Sequence, residues 1–158
     1  MKFNIKKQSF YKSLSSVGRA SSTHSPLPIL SGIKFELRNN TLTLIASDSN
    51  ISIREVIYAN EENNLVIHEE GDVVLEARYV LEAVRKLDAD IINMEIIDGA
   101  LTRISGNQAE YNINGTKGDQ YPIIDFTKPE KQFEISGSKL SEIISQTAFV
   151  CSTSEDRP

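Results

Sequence analysis

Residues 3–28 read FNIKKQSFYKSLSSVGRASSTHSPLP, and residues 133–158 read FEISGSKLSEIISQTAFVCSTSEDRP. Laid over one another without a gap, they put Phe3 on Phe133, Ile5 on Ile135, Leu14 on Ile144 and Ser15 on Ser145. Ser22 and Thr23 fall on Ser152 and Thr153, and Pro28 falls on Pro158. Phe10 meets Leu140, which keeps the apolar character. The offset is 130 residues, far too long for the stacked units of a solenoid, so the repeating unit is a whole domain. The expected organisation is one complete domain over 1–128, a linker over 129–131, and the opening strand and helix of a truncated second copy over 132–158.

Working outward, Phe3 and Ile5 alternate with polar residues and predict a strand. From Gln8 to Val17 the rhythm changes. Phe10, Leu14 and Val17 fall at i, i+4 and i+7, one apolar stripe of a helix. Lys12 and Arg19 point the other way, among Gln8, Ser15 and Ser16, and that face holds no carboxylate. Ser21 to Pro28 is a loop by composition. Ile33, Phe35 and Leu37 predict a strand, Asn39-Asn40 a hairpin turn, and Leu42, Leu44 and Ala46 the returning strand. Ile51 and Ile53 continue in strand rhythm, Asn60 to Asn64 is a polar loop, and Val73 to Leu75 is a further strand.

A second helical period covers Glu76 to Leu87, with Val80, Leu81, Val84 and Leu87 inward. Arg78, Glu82 and Arg85 share its outer face, with Lys86 beside them. Strands are expected around Ile92, Met94 and Ile96, at Leu101 to Ile104, and around Ala109, Tyr111 and Ile113. Asp98-Gly99 and Gly106-Asn107 are the expected two-residue turns. Tyr121-Pro122 lies in a loop. In the second copy a helix is expected over Lys139 to Phe149, with Leu140, Ile144 and Thr147 as its stripe. This order of strands and helices predicts an α+β domain of antiparallel sheet with two helices on one face.

Composition is that of an ordinary globular chain: 158 residues, 39% hydrophobic and 25% charged. That length supports a core burying roughly 70% of the unfolded surface. No apolar run is long enough for a membrane span, and MKFNIKKQSF lacks the apolar region of a secretory signal. The single cysteine, Cys151, excludes internal disulfides and fits a reducing cytoplasm. Net charge is −5, unevenly spread: residues 1–35 hold six Lys and Arg and no carboxylate. An acidic chain with one basic segment presents a positive surface in one place.

No catalytic constellation appears. His24 and His68 have no ligand spacing to each other or to Cys151, so no metal site is expected. Gly115 and Gly118 lack the Lys-Ser/Thr that completes a phosphate loop. Asp48-Ser49-Asn50 is too short for a calcium loop and reads as a turn. A hydrolase has no nucleophile–base set here, and no cofactor is implied.

In order and spacing, MKFNIKKQSFYKSL, PLPILSGIKFEL, TLTLIASDSNISI, VLEARYVLEAVRKL, AEYNINGTKGDQYP and FVCSTSEDRP resemble the bacterial DNA sliding clamps, the beta subunits of the replicative DNA polymerase. The resemblance runs the length of the chain. It implies the DNA clamp fold and a non-enzymatic processivity factor, with domain one and the start of domain two present. In that family three such domains per subunit, in a head-to-tail homodimer, close a ring around double-stranded DNA. The replicative polymerase and the clamp loader are its further partners. Carried onto this sequence, the resemblance puts Lys12, Arg19, Arg78 and Arg85 toward the DNA and the His24 loop at the rim. His24 is mostly neutral at pH 7 and would be a weak contact. The strand with Ala109, Tyr111 and Ile113 would be the subunit interface. Arg157 and Pro158 would lie near the start of the partner-peptide region. The rival reading is a clamp-like protein-interaction module without ring function, against which the basic first helix argues.

Overall fold

The computed structural model describes residues 1–151. Ser152, Thr153, Arg157 and Pro158, which take part in the repeat or its functional reading, lie outside those residues. The chain falls into two compact units, Met1–Ile124 and Asp125–Pro158.

The first unit begins with β1 (Lys2–Lys6), which runs straight into α1 (Lys7–Val17). The boundary residue Lys6 is still extended (φ −62°, ψ 125°), and no side chain caps the helix. The helix forms because apolar spacing changes from two to about four at this point, so Phe10, Leu14 and Val17 can all be buried. A 3₁₀ turn, Gly18–Ala20, ends it, and a second spans Pro28–Ser31. Next come β2 (Gly32–Arg38), β3 (Thr41–Ser47), β4 (Ser52–Tyr58), β5 (Val66–Glu69) and β6 (Gly71–Glu76). β6 runs straight into α2 (Ala77–Lys86), again through an extended, uncapped residue, Glu76. The unit continues with β7 (Ile91–Asp98), β8 (Leu101–Gly106), β9 (Ala109–Asn114) and the short β10 (Thr116–Lys117).

Among the described residues these strands make two five-stranded sheets, ordered β5-β1-β7-β8-β9 and β10-β6-β2-β3-β4. Every pairing is antiparallel. The runs β1-α1-β2-β3-β4 and β6-α2-β7-β8-β9 are the same order of elements. The first strand of each run pairs with the second strand of the other, β1 with β7 and β6 with β2. The unit is therefore two intertwined copies of one motif.

One hydrophobic core joins both sheets and both helices. Phe10 of α1 sits at its junction, fully buried. Its ring meets Phe3 of one sheet edge-on (5.7 Å, 84°) and Phe35 of the other (6.3 Å, 60°). Ser13, buried on the same helix, donates its hydroxyl hydrogen to Glu55 of β4. The two helices also touch each other. Lys7 Nζ donates to the carbonyls of Arg85 (3.1 Å) and Leu87, so the start of α1 closes the carbonyl end of α2.

The α+β class and the antiparallel sheets follow the sequence reading. Several details differ. Ile51 is not in a strand but 60% exposed in the Asp48–Ile51 turn, where the Asp48 carboxylate accepts the N–H groups of Asn50 (2.9 Å) and Ile51 (2.8 Å). Asp48-Ser49-Asn50 thus satisfies its own backbone. β5 was not anticipated, because its four residues VIHE are mostly exposed and lack a clear alternation. The polar loop before it is built around Asn63, whose side chain accepts from Asn60 and Leu65 and donates to the Tyr58 carbonyl. Both later turns lie one residue further on than expected. Gly106 stays in the ladder opposite Ala109, and a Cβ there would stand 2.6 Å from that of Ala89. The left-handed residue that leads the turn is Asn107 (φ 50°). Likewise β7 keeps Asp98, and Gly99 (φ 57°) leads the turn. Asn39 and Asn40, at φ 50° and 60°, form the expected hairpin turn.

In the second unit α3 spans Gly137–Thr147 and a 3₁₀ turn spans Ala148–Val150. These bounds are those of α1 and its 3₁₀ turn shifted by the repeat: Lys7 to Gly137, Val17 to Thr147, Gly18 to Ala148, Ala20 to Val150. The closing hydrogen bonds shift with them, Gly18 N–H to Leu14 O becoming Ala148 N–H to Ile144 O. Phe133 and Ile135, expected in a strand, are in none. A strand is held by its ladder, and among the described residues nothing pairs with this segment.

Candidate nucleic-acid interface

The sides of α1 and α2 turned from the core carry the charged groups. On α1, burial of Phe10, Leu14 and Val17 forces Gln8, Lys12 and Ser16 outward, and Arg19 follows on the 3₁₀ turn. All four are exposed. Neither Lys12 nor Arg19 makes an ion pair among the described residues. On α2, burial of Ala77, Val80, Ala83 and Val84 leaves Arg78, Tyr79, Arg85 and Lys86 exposed. Leu81, expected inward, is partly buried against the core.

The α2 cations are engaged. Arg85 reaches Glu82 at 2.7 Å and Lys86 reaches it at 3.5 Å. The Arg85 hydrogen bond is the main cause that holds the Glu82 carboxyl below its ordinary range; desolvation opposes it, and the charges of Arg85 and Lys86 add to the lowering. Arg78 donates to the Tyr79 hydroxyl at 2.9 Å, its guanidinium lies 4.7 Å from that ring centre, and Glu76 is 4.0 Å away. The Tyr79 hydrogen bond is the main reason the Arg78 pKa is raised.

Between the start of α1 and the end of α2 a cleft is lined by Lys6, Lys7, Tyr11, Arg85 and Asp90. His24 lies in the exposed loop after α1, its N–H donating to Ser22 Oγ. The structure therefore puts Lys12, Arg78 and Arg85 on two helices in mutual contact, Arg19 on the 3₁₀ turn that ends the first, and His24 on a separate loop. Tyr79 and Lys7 were not singled out in the sequence. Tyr79 adjoins Arg78, but an aromatic residue on a helix is more often core.

β9 is an outer strand of its sheet. Ala109 and Tyr111 are exposed and Ile113 is buried. Tyr111 and Ile113 line a cleft with Tyr79, Ala83 and Lys86 of α2. Among the described residues no group of three or more His, Cys, Asp or Glu gathers to hold a metal. Among them, too, no helix is long and apolar enough to cross a membrane.

A family model described as the DNA polymerase III beta subunit, N-terminal domain, matches residues 1–125. A beta sliding clamp of Bacillus subtilis is 36% identical over 160 residues, and one of Staphylococcus epidermidis 35%. Each match covers 100% of this chain and 42% of the relative, so the chain spans well under half the length of these clamps. Among solved structures, the DNA polymerase III beta chain of Streptococcus pneumoniae superposes with a TM-score of 0.91 at 32% identity, over 99% of this chain and 42% of that one. The DNA polymerase sliding clamp of Bacillus subtilis gives the same TM-score at 35% identity, over 100% and 42%.

Proposed function

The chain belongs to the DNA polymerase III beta subunit family, and we propose that it is the N-terminal part of a sliding clamp that tethers the replicative polymerase to duplex DNA in the cytoplasm. Residues 1–128 are the first clamp domain, 129–131 the linker and 132–158 the opening of the second. The coincidence of α3 with α1 across the repeat supports this division. The clamp is a processivity factor and performs no chemistry. Lys12, Arg19, Arg78 and Arg85 face the DNA, with His24 at the rim. Ala109, Tyr111 and Ile113 form the edge that meets a second subunit, and the clamp loader and polymerase engage the longer protein.

The observation that carries the reading is a pair of exposed cations, Lys12 on α1 and Arg19 on the 3₁₀ turn after it, with no ion-pair partner among the described residues of a chain of net charge −5. A few cations directed at phosphates attract DNA without reading bases, so no sequence becomes a trap. The acidic remainder repels DNA elsewhere. Retention then comes from encirclement, not affinity.

Titration of labelled duplex with the full chain tests this. Binding is expected to be weak, indifferent to sequence, and to fall on the order of tenfold between about 50 and 200 mM salt if two phosphates are neutralised. Binding that is tight, resists salt or selects a sequence would overturn it.

A further inference from the structure

The two helices offer their cations on unequal terms. Lys12 of α1 and Arg19 of the 3₁₀ turn that ends it have no ion-pair partner among the described residues. Each cation on α2 has a partner: Arg85 and Lys86 converge on Glu82, and Arg78 is anchored on Tyr79 beside Glu76. The repeat adds a contrast. At the positions of Lys12 and Arg19 it carries Glu142 and Phe149 on α3 and the 3₁₀ turn after it, and Glu142 draws Lys139 to 3.0 Å. Cations at these two positions are thus a property of the first copy and are not kept where the helix recurs.

We propose that Lys12 and Arg19 are the standing phosphate contacts of this face, and that Glu82 restrains its α2 side by competing with phosphate for Arg85 and Lys86. This rests on the clamp reading above. The mechanism is electrostatic. A phosphate approaching Arg85 or Lys86 must displace a carboxylate already there, and Glu82 itself repels it. A cation without a partner holds only mobile counterions, which phosphate releases to bulk solution. Contacts on α1 therefore carry the salt dependence, and contacts on α2 form and break by exchange with Glu82. A gliding surface benefits, because no phosphate is held firmly on both helices at once.

The test is a salt series of duplex titrations on the full chain and three variants. Glu82→Gln frees two cations and keeps the side chain's shape. It is expected to tighten binding about three- to tenfold at low salt and to steepen the log–log salt slope by about 1. Glu36→Gln removes the same charge from a similar pair, with Lys34 and Arg38, on the side of β2 away from the core. It is expected to leave binding unchanged. The double variant Lys12→Ala/Arg19→Ala is expected to flatten the slope by about 2. Tightening no greater in Glu82→Gln than in Glu36→Gln overturns the proposal. If the α1 double variant still loses binding in that case, the clamp reading stands. If that variant binds as the parent does, the reading of the whole face fails with it. Urea unfolding of each variant confirms that these surface changes leave the fold intact.

Discussion

Phe10→Ala is expected to remove about 3–5 kcal/mol from the stability of the Met1–Ile124 unit, the range for emptying a fully buried aromatic site. Phe10 is fully buried, and its ring bridges Phe3 of one sheet and Phe35 of the other. Truncation removes the only aromatic ring of α1's buried stripe and opens a space bounded by three elements. The two sheets on either side are held by separate ladders, so the walls cannot close the gap together. Since small domains hold only about 5–15 kcal/mol in total, the loss takes roughly a fifth or more of the reserve. Urea unfolding followed by circular dichroism reads it as a lower midpoint, and Phe10→Leu provides a milder variant. The matched control is Leu140→Ala. It sits at the equivalent position of α3, is 44% exposed, and is expected to change stability by no more than about 0.5 kcal/mol. A loss below about 1 kcal/mol for Phe10→Ala would mean that α1 does not bind the sheets together as described.

The second large effect is expected at Gly115. This single residue carries the chain from β9 in one sheet to β10 in the other. Its N–H donates to the Ala100 carbonyl at 3.1 Å. A Cβ added here would stand 2.8 Å from the carbonyl oxygens of Ala100 and Val74 and from a methyl of Leu75. Two of those obstacles are backbone, which cannot rotate aside. The requirement is therefore space, not an unusual backbone angle. Gly115→Val is expected to cost about 3 kcal/mol, the upper end of the overpacking range, and Gly115→Ala somewhat less. The same urea titration measures both. An unchanged midpoint for Gly115→Val would show that the crossing can shift without loss. Gly99, with nothing within 4 Å of its added Cβ, is the contrast, since only its φ of 57° resists substitution.

Both effects show what the sequence could and could not reveal. The stripes of α1 and α2 and the strand faces at Phe3, Phe35 and Leu44 are legible because burial imposes a period. The bounds of α1 and α3 even repeat at the offset of the sequence echo. In the sequence Gly115 stands out only as half of a failed phosphate loop, because a demand for space between two sheets leaves no periodic trace. β5 escaped for a related reason: an edge strand of four residues in which only Ile67 is partly buried has too little buried face to impose alternation. Gly106 pulled the turn reading one residue early, since close packing on Ala89 and left-handed backbone both select glycine.

At the candidate interface the cations themselves were legible, as outward positions of helices whose inward positions were clear. Their inequality was not. Glu82 stands three residues from Arg85 and four from Lys86, the spacing that permits pairing. Whether it pairs with one, both or neither is a matter of rotamers. Lys7 shows the same limit. Nothing local in the sequence indicates that its ammonium group closes the end of a helix some 80 residues further on.

The two interlocked runs of the first unit have a consequence for chain scission. β1 finds a ladder partner in β7 and β2 one in β6, so each run relies on the other to pair its first two strands. A nick at the exposed Glu61-Glu62 bend would yield fragments that are each expected to be unstructured alone and to recover strand and helix signal when mixed. Dichroism that appeared in one fragment by itself would show that half of the motif is self-sufficient.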